Sequence, residues 1–269
     1  MTVYFCPLYS GSSGNALFVM AGHTKLLVDA GLPGTAIASA LASIGADPAK
    51  LDGILITHEH ADHVAGAGIL SRRYHVPIYA NQATWRAMER RVGDIAAGNR
   101  REFDTAQEFY IGDVGVCSYP LPHDAAQPVG YRLSAGRVSV SIVTDLGHFS
   151  ASVMKKIAGS GLVLLESNHD PDMLKRNPNY SAFLKHRILS EKGHLSNEEA
   201  ADALESIVLG GTRHIILGHL SGENNMPELA LRTACERVAR MGLIPGEDIQ
   251  IDVAHRNCVG DVYALEETL

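Results

Sequence analysis

The chain has 269 residues, a net charge of −7, and a composition of 46% hydrophobic and 20% charged residues, which is ordinary for a soluble globular protein. That length fits one large α/β domain or two small ones. The acidity argues against a protein that coats nucleic acid without specificity, and no stretch approaches the ~20 apolar residues of a membrane helix.

The first third reads as strands over residues 3–8, 16–20 and 25–29. A helix is expected at 34–44, then a buried strand at 53–57. Helices follow at 64–74 and 82–92. The middle returns to strands at 108–110, 114–121, 129–133 and 138–144. Strands at 161–167 and 214–217 then alternate with helices at 181–190, 197–209 and 227–241. Final strands are expected at 249–253 and 262–265. Two strand-rich blocks, each followed by helices, predict two βα halves packed sheet on sheet with helices outside.

Cys6, Cys117, Cys235 and Cys258 are far apart and form no CxxC pair, which argues against a disulfide framework and against a cysteine zinc site. The start, MTVYFCPLYSGSSGN, has no basic segment and no long apolar run, so no signal peptide and a cytoplasmic location are expected. Residues 72–101 hold seven Lys/Arg against Glu89 and Asp94. That stretch is either a nucleic-acid face or a solvated helical surface.

The chemistry concentrates in THEHADH, residues 57–63, directly after an apolar run. His58 and His60 are two apart, so an extended backbone points both to one side. Asp62 and His63 open the next helix, and their side chains diverge. One turn can therefore serve two centres. A helix-capping turn explains Asp62 alone but not three histidines. Further ligand types follow apolar runs at His123, Asp145 and His219. His169, in LLESNHD, competes with His219 for the last place.

THEHADH matches the HxHxDH motif of the metallo-β-lactamase superfamily. Asp29, His123, Asp145 and His219 match that superfamily's other motifs in order, over nearly the whole chain. The resemblance implies a single domain over 1–269, an αββα sandwich of two mixed β-sheets with helices on the outer faces. It implies two divalent metal ions, zinc or manganese, with iron also compatible. His58, His60 and His123 would hold one ion, and Asp62, His63 and His219 the other. Asp145 would bridge them, and Asp29 would orient a ligand histidine from behind. Two ions about 3.5–4 Å apart can share a water, lower its pKa and present hydroxide as nucleophile.

Three features narrow the branch. Asp145 stands where common lactamases carry cysteine. His60 stands where the diiron members carry a carboxylate. KGHLSNEEAA, residues 192–201, places His194 before a capping box of Ser196 and Glu199, and resembles a loop of ribonuclease Z. GSSGN (residues 11–15) and LGHLSGENN (residues 217–225) resemble the YycJ/WalJ-type exonucleases, which act 5′ to 3′ on double-stranded DNA. Nucleic acid, DNA before RNA, is then the expected substrate; no membrane contact is expected and protein partners are unassigned. His194 would assist the leaving oxygen, and Asp62 would orient the hydroxide. Ser12, Ser13 and Asn15 either bind phosphate or form a turn. Lys185 and Arg187 either contact phosphate or line a solvated helix. The rival reading is a small-molecule hydrolase acting on a thioester, lactone or weak β-lactam. A non-catalytic binding member leaves seven ligand residues without a purpose.

Overall fold

The computed structural model describes residues 1–267, so the end of the expected 1–269 domain lies outside the described residues. Fourteen strands and nine α-helices are found among them. The strands are β1 (Val3–Tyr9), β2 (Ala16–Ala21), β3 (Thr24–Val28), β4 (Gly53–Leu55), β5 (Ile78–Asn81), β6 (Arg100–Phe103), β7 (Glu108–Ile111), β8 (Val114–Pro120), β9 (Val129–Ala135), β10 (Val138–Val143), β11 (Leu162–Glu166), β12 (His214–Gly218), β13 (Gln250–Val253) and β14 (Tyr263–Leu265). The helices are α1 (Gly34–Ser43), α2 (Ala61–Val64), α3 (Ala67–Tyr74), α4 (Gln82–Val92), α5 (Ala151–Ile157), α6 (Pro171–Arg176), α7 (Ala182–Ile188), α8 (Asn197–Leu209) and α9 (Pro227–Arg240).

Two mixed sheets of seven strands result, in the orders β14-β1-β2-β3-β4-β5-β6 and β13-β12-β11-β10-β9-β8-β7. In the first, β1, β2 and β3 are antiparallel, and β3 to β6 run parallel. The register of β1 on β2 slips between Pro7 and Tyr9, beside a residue that has no N–H to donate. In the second, β7, β8 and β9 are antiparallel and β10 to β13 parallel. Strands β10 and β11, VSVSIV and LVLLE, are buried at every position, the pattern of parallel strands covered on both faces.

By their contacts the residues divide into two compact units. Among the described residues the first comprises 1–120, 125–138 and those from 255 onward, and the second 121–124 and 139–254. The first unit's core gathers Leu8, Leu27, Ile54, Ile56, Ile78, Trp85 and Met88, with α1 against β1 and α4 against β5 and β6. Trp85 donates its indole N–H to the Arg101 carbonyl at 2.9 Å. In the second unit α8 packs on α5 and α9, and α9 on β13, burying Leu204, Ile207, Ala234 and Val238.

Four elements were not legible in the hydrophobic pattern: β5, β6, α5 and α6. Three are short helices or edges whose periodicity spans too few residues to register. β6, RREF, is a charged strand at the end of its sheet, which blocks further edge pairing. The helix expected at 64–74 begins earlier, at Ala61, and breaks between α2 and α3.

The loop after β3 touches the motif turn without any clearance. A Cβ on Gly31 would lie 1.6 Å from the Asp62 carbonyl oxygen. Gly31→Ala is expected to lower stability by about 1–3 kcal/mol through overpacking. Gly98→Ala, where no atom lies within 4 Å, is the control and should stay within about 0.5 kcal/mol of wild type in urea unfolding.

Candidate metal centre

In the first unit, parallel strands β3 and β4 end side by side, so the residues just beyond them emerge at one edge. Asp29 follows β3 with a left-handed backbone (φ 60°). Its carboxylate accepts the Thr57 N–H and hydroxyl, both at 2.9 Å, and lies 2.7 Å from His63 Nδ1. With Nδ1–H donating to Asp29, His63 carries its lone pair on Nε2. The Asn15 amide donates to that nitrogen at 3.2 Å, and also holds the Gly11 and Asp62 carbonyls. Asn15 is thus a buried brace on the motif turn, whereas Ser12 and Ser13 are exposed.

His58 Nδ1 contacts the Thr57 hydroxyl at 3.0 Å. The hydroxyl's proton already points to Asp29, so the imidazole donates and its lone pair sits on Nε2. That Nε2 lies 3.0 Å from His60 Nδ1. Asp62 opens α2 with a carboxylate oxygen 3.5 Å from His63 Nε2. Three imidazoles therefore crowd one turn, with ring centroids of His58 at 4.6 Å from His60 and 4.1 Å from His63.

In the second unit, three adjacent parallel strands, β10, β11 and β12, deliver three donors at their carboxyl ends. Asp145 and His219 both take left-handed backbones (φ 64° and 55°), and Glu166 is the last residue of β11. Ligand atoms of Asp145, Glu166, His194 and His219 all lie within 4.8 Å of one another. His123 Nε2 is 3.7 Å from Asp145, and His219 Nδ1 is 3.2 Å from it. Imidazole and carboxylate donors, buried and converging, fit divalent ions of the zinc, manganese and iron type.

Glu166 was not singled out in the sequence, although a glutamate ending the apolar strand LVLLE is the signal that marks it. It is fully buried. Its Oε2 accepts the N–H groups of Leu146 and Leu195, and its Oε1 binds His194 Nδ1 at 2.7 Å. Burial alone would lower the His194 pKa, but the charge and hydrogen bond of Glu166, with Asp145 and Asp124, raise it to about 9. At His123 burial outweighs the nearby carboxylates of Asp145, Glu166 and Asp124 and holds the imidazole below the usual value.

His169 belongs to none of the clusters of three or more metal-ligating side chains among the described residues. It is 1% exposed, and neither ring nitrogen has a hydrogen-bond partner. Burial lowers its pKa to about 4. Below the unfolded value of 6.5 the unfolded chain takes up a proton there and the folded chain does not. Stability should therefore fall as the pH drops from about 6.5 to about 4, by roughly 3 kcal/mol at full extent. His169→Phe should flatten that part of the pH–stability curve measured by urea unfolding.

The basic residues are partly tied into the fold. Arg187 pairs with Asp124, and Lys185 donates to the Lys175 carbonyl at 2.7 Å. Arg72 holds the carbonyls of Val92 and Asp94, and Arg100 lies over the Trp85 ring at 4.7 Å. Arg86, Arg90 and Arg91 are exposed on α4.

Two seven-stranded mixed sheets carrying histidine and aspartate donors at their strand ends define a metallo-hydrolase. Residues 24–220 match the model of the beta-lactamase superfamily domain, and the chain belongs to that family. It is 39% identical over 251 residues to exodeoxyribonuclease YycJ of Bacillus anthracis, covering 93% of this chain and 95% of that protein. It is 42% identical over 246 residues to exodeoxyribonuclease WalJ of Streptococcus pneumoniae D39, covering 91% of each. Among solved structures, the metallo-beta-lactamase fold protein YhfI from Bacillus subtilis shares the fold, with a TM-score of 0.71 at 18% identity over 98% of this chain and all of that one. No described helix is long and apolar enough to cross a membrane.

Proposed function

We propose that this protein is a metal-dependent exonuclease that removes nucleotides from the 5′ end of DNA in the cytoplasm. The observation that carries this reading is the likeness, over more than nine-tenths of the chain, to two proteins named as exodeoxyribonucleases. On this reading His58, His60 and His123 would hold one ion and Asp62, His63 and His219 the other. Asp145 would be a further ligand, and Asp29 fixes His63. When bound, two such ions would supply Lewis acidity and an acidified water.

The chain's own groups then divide the remaining work. Asp62 orients the attacking water. His194, kept protonated by Glu166, faces a departing oxygen with an N–H. Its Nδ1–H stays hydrogen-bonded to the Glu166 carboxylate, so the transferable proton is on Nε2. A charged histidine of this kind contributes about 10²–10⁴-fold to bond cleavage when it protonates the leaving group. A thioester hydrolase, whose thiolate departs without a proton, has less use for it.

The test is cleavage of end-labelled double-stranded DNA by protein stripped of metal and reloaded with manganese or zinc. RNA of the same sequence, a thioester and a chromogenic lactam run beside it. Metal-dependent shortening from the labelled 5′ end supports the proposal. Intact DNA with a hydrolysed thioester or lactam would replace it with the small-molecule reading.

A further inference from the structure

Helix α7 presents a surface that the ligand set does not account for. It is seven residues long, is N-capped by Ser181, and buries none of its residues. Its sequence, AFLKHRI, nevertheless carries a phenylalanine that is 79% exposed, and Leu189, just beyond its end, is 48% exposed. A large apolar ring held this far into water on an ordered helix has no role in the core.

The charge along the surrounding sequence is one-sided, with Arg176 paired to Asp172 and Arg187 to Asp124 in the fold. Residues 173–190 contain Lys175, Arg176, Lys185 and Arg187 and not one acid, in a chain of net charge −7. Asp172 and Glu191 mark the two limits of that stretch.

The helix is also fastened to the second unit's donors. The His194 N–H bonds the Ile188 carbonyl at 2.9 Å, and His123 Nδ1 contacts the Gly193 carbonyl at 3.1 Å. A Cβ on Gly193 would meet the Ile188 carbonyl oxygen at 2.0 Å, so the end of α7 is pressed against the loop that carries His194. Phe183 and Arg187 are four apart and share a helix face, and Arg187 reaches Asp124, the neighbour of His123. The aromatic ring therefore stands about one helical turn along α7 from Arg187, whose partner Asp124 adjoins His123 in sequence.

We propose that α7 is a base-stacking platform, with Phe183 packed on a nucleobase of the polynucleotide strand under attack and Lys175, Arg176 and Lys185 beside its phosphates. This rests on the nucleic-acid reading above. An exposed ring flanked by cations is the combination that holds single strands without reading sequence, because every base offers a flat face. Pairing this face with itself in a second copy would set its cations against each other, whereas a polyanion offsets them. Such a platform would hold an end nucleotide unstacked from its duplex, which is the geometry an end-directed nuclease requires.

The experiment is a binding titration without added metal, using a short single-stranded DNA with 2-aminopurine near its 5′ end and the same strand with an abasic site there. Wild type should bind the intact strand roughly tenfold more tightly than the abasic one and change its fluorescence as the base leaves its neighbours. Phe183→Ala should bind both equally and lose the fluorescence change, and Phe183→Trp should restore the preference for the intact strand. Discrimination that survives in Phe183→Ala overturns the platform while leaving the nuclease reading intact. So does a change of sedimentation in Phe183→Ala with unaltered DNA affinity, which would make the ring a self-association contact. Wild-type protein that neither binds nor cleaves DNA, yet hydrolyses the thioester or lactam, removes the nucleic-acid reading and the platform with it.

Discussion

His60→Ala is expected to lose metal-dependent DNA hydrolysis by at least roughly 10³-fold, the equivalent of about 4 kcal/mol of transition-state stabilisation. His60 is the informative position in the motif because it is only half-buried, whereas His58 and His63 are wholly buried. Truncating a buried, hydrogen-bonded histidine mixes a folding defect with the loss of a ligand. At residue 60 the unfolding transition of the metal-free protein should stay near wild type while bound metal falls, measured by elemental analysis after dialysis. Full turnover and full metal content in the variant would remove His60 from the proposed ligand set.

His194→Ala is expected to keep the wild-type metal content and to lose about 10²–10⁴-fold in turnover. Glu166→Gln separates the proton donor from its support. The Glu166 charge opposes the effect of burial and holds the His194 pKa at about 9. Without that charge the imidazole releases its proton at lower pH, so the alkaline limb of the rate profile should move down. The acid form is the competent one, so activity above the new pKa is lost while activity well below it is kept. A profile that does not move would make Glu166 a structural partner of the Leu146 and Leu195 N–H groups and nothing more. Loss of metal in His194→Ala would assign that histidine to the metal rather than to the leaving group.

The strands were legible because their apolar runs are long and bounded by turn residues, and the strands β10, β11 and β12 are the clearest case. Their ends followed, since a polar residue directly after a buried parallel strand has few places to be. Asp145 and His219 were readable in that way, and the motif turn by its density of imidazoles. Glu166 was not, because a charge that closes a strand looks the same in sequence whether it faces water or a buried histidine. The bracing role of Asn15 was hidden for a related reason. Gly-Ser-Ser-Gly-Asn has the chemistry of a turn, and only the fold brings its last residue to His63. The basic residues were open to two readings in the sequence. Arg72 and Arg100 carry charge in the sequence but serve as carbonyl and ring contacts in the fold.

Asp29, Asp145 and His219 share a left-handed backbone, which most side chains adopt only at a cost of about 1–2 kcal/mol. Aspartate, asparagine and histidine are the non-glycine residues most often found there. The bend that ends each strand therefore restricts the usable alphabet to short polar side chains before any chemistry is considered. Glutamate, which has the right charge, and cysteine, which the lactamases use, would each carry that backbone cost as well. Drift at these three positions is confined in two independent ways, by what can bind and by what can turn.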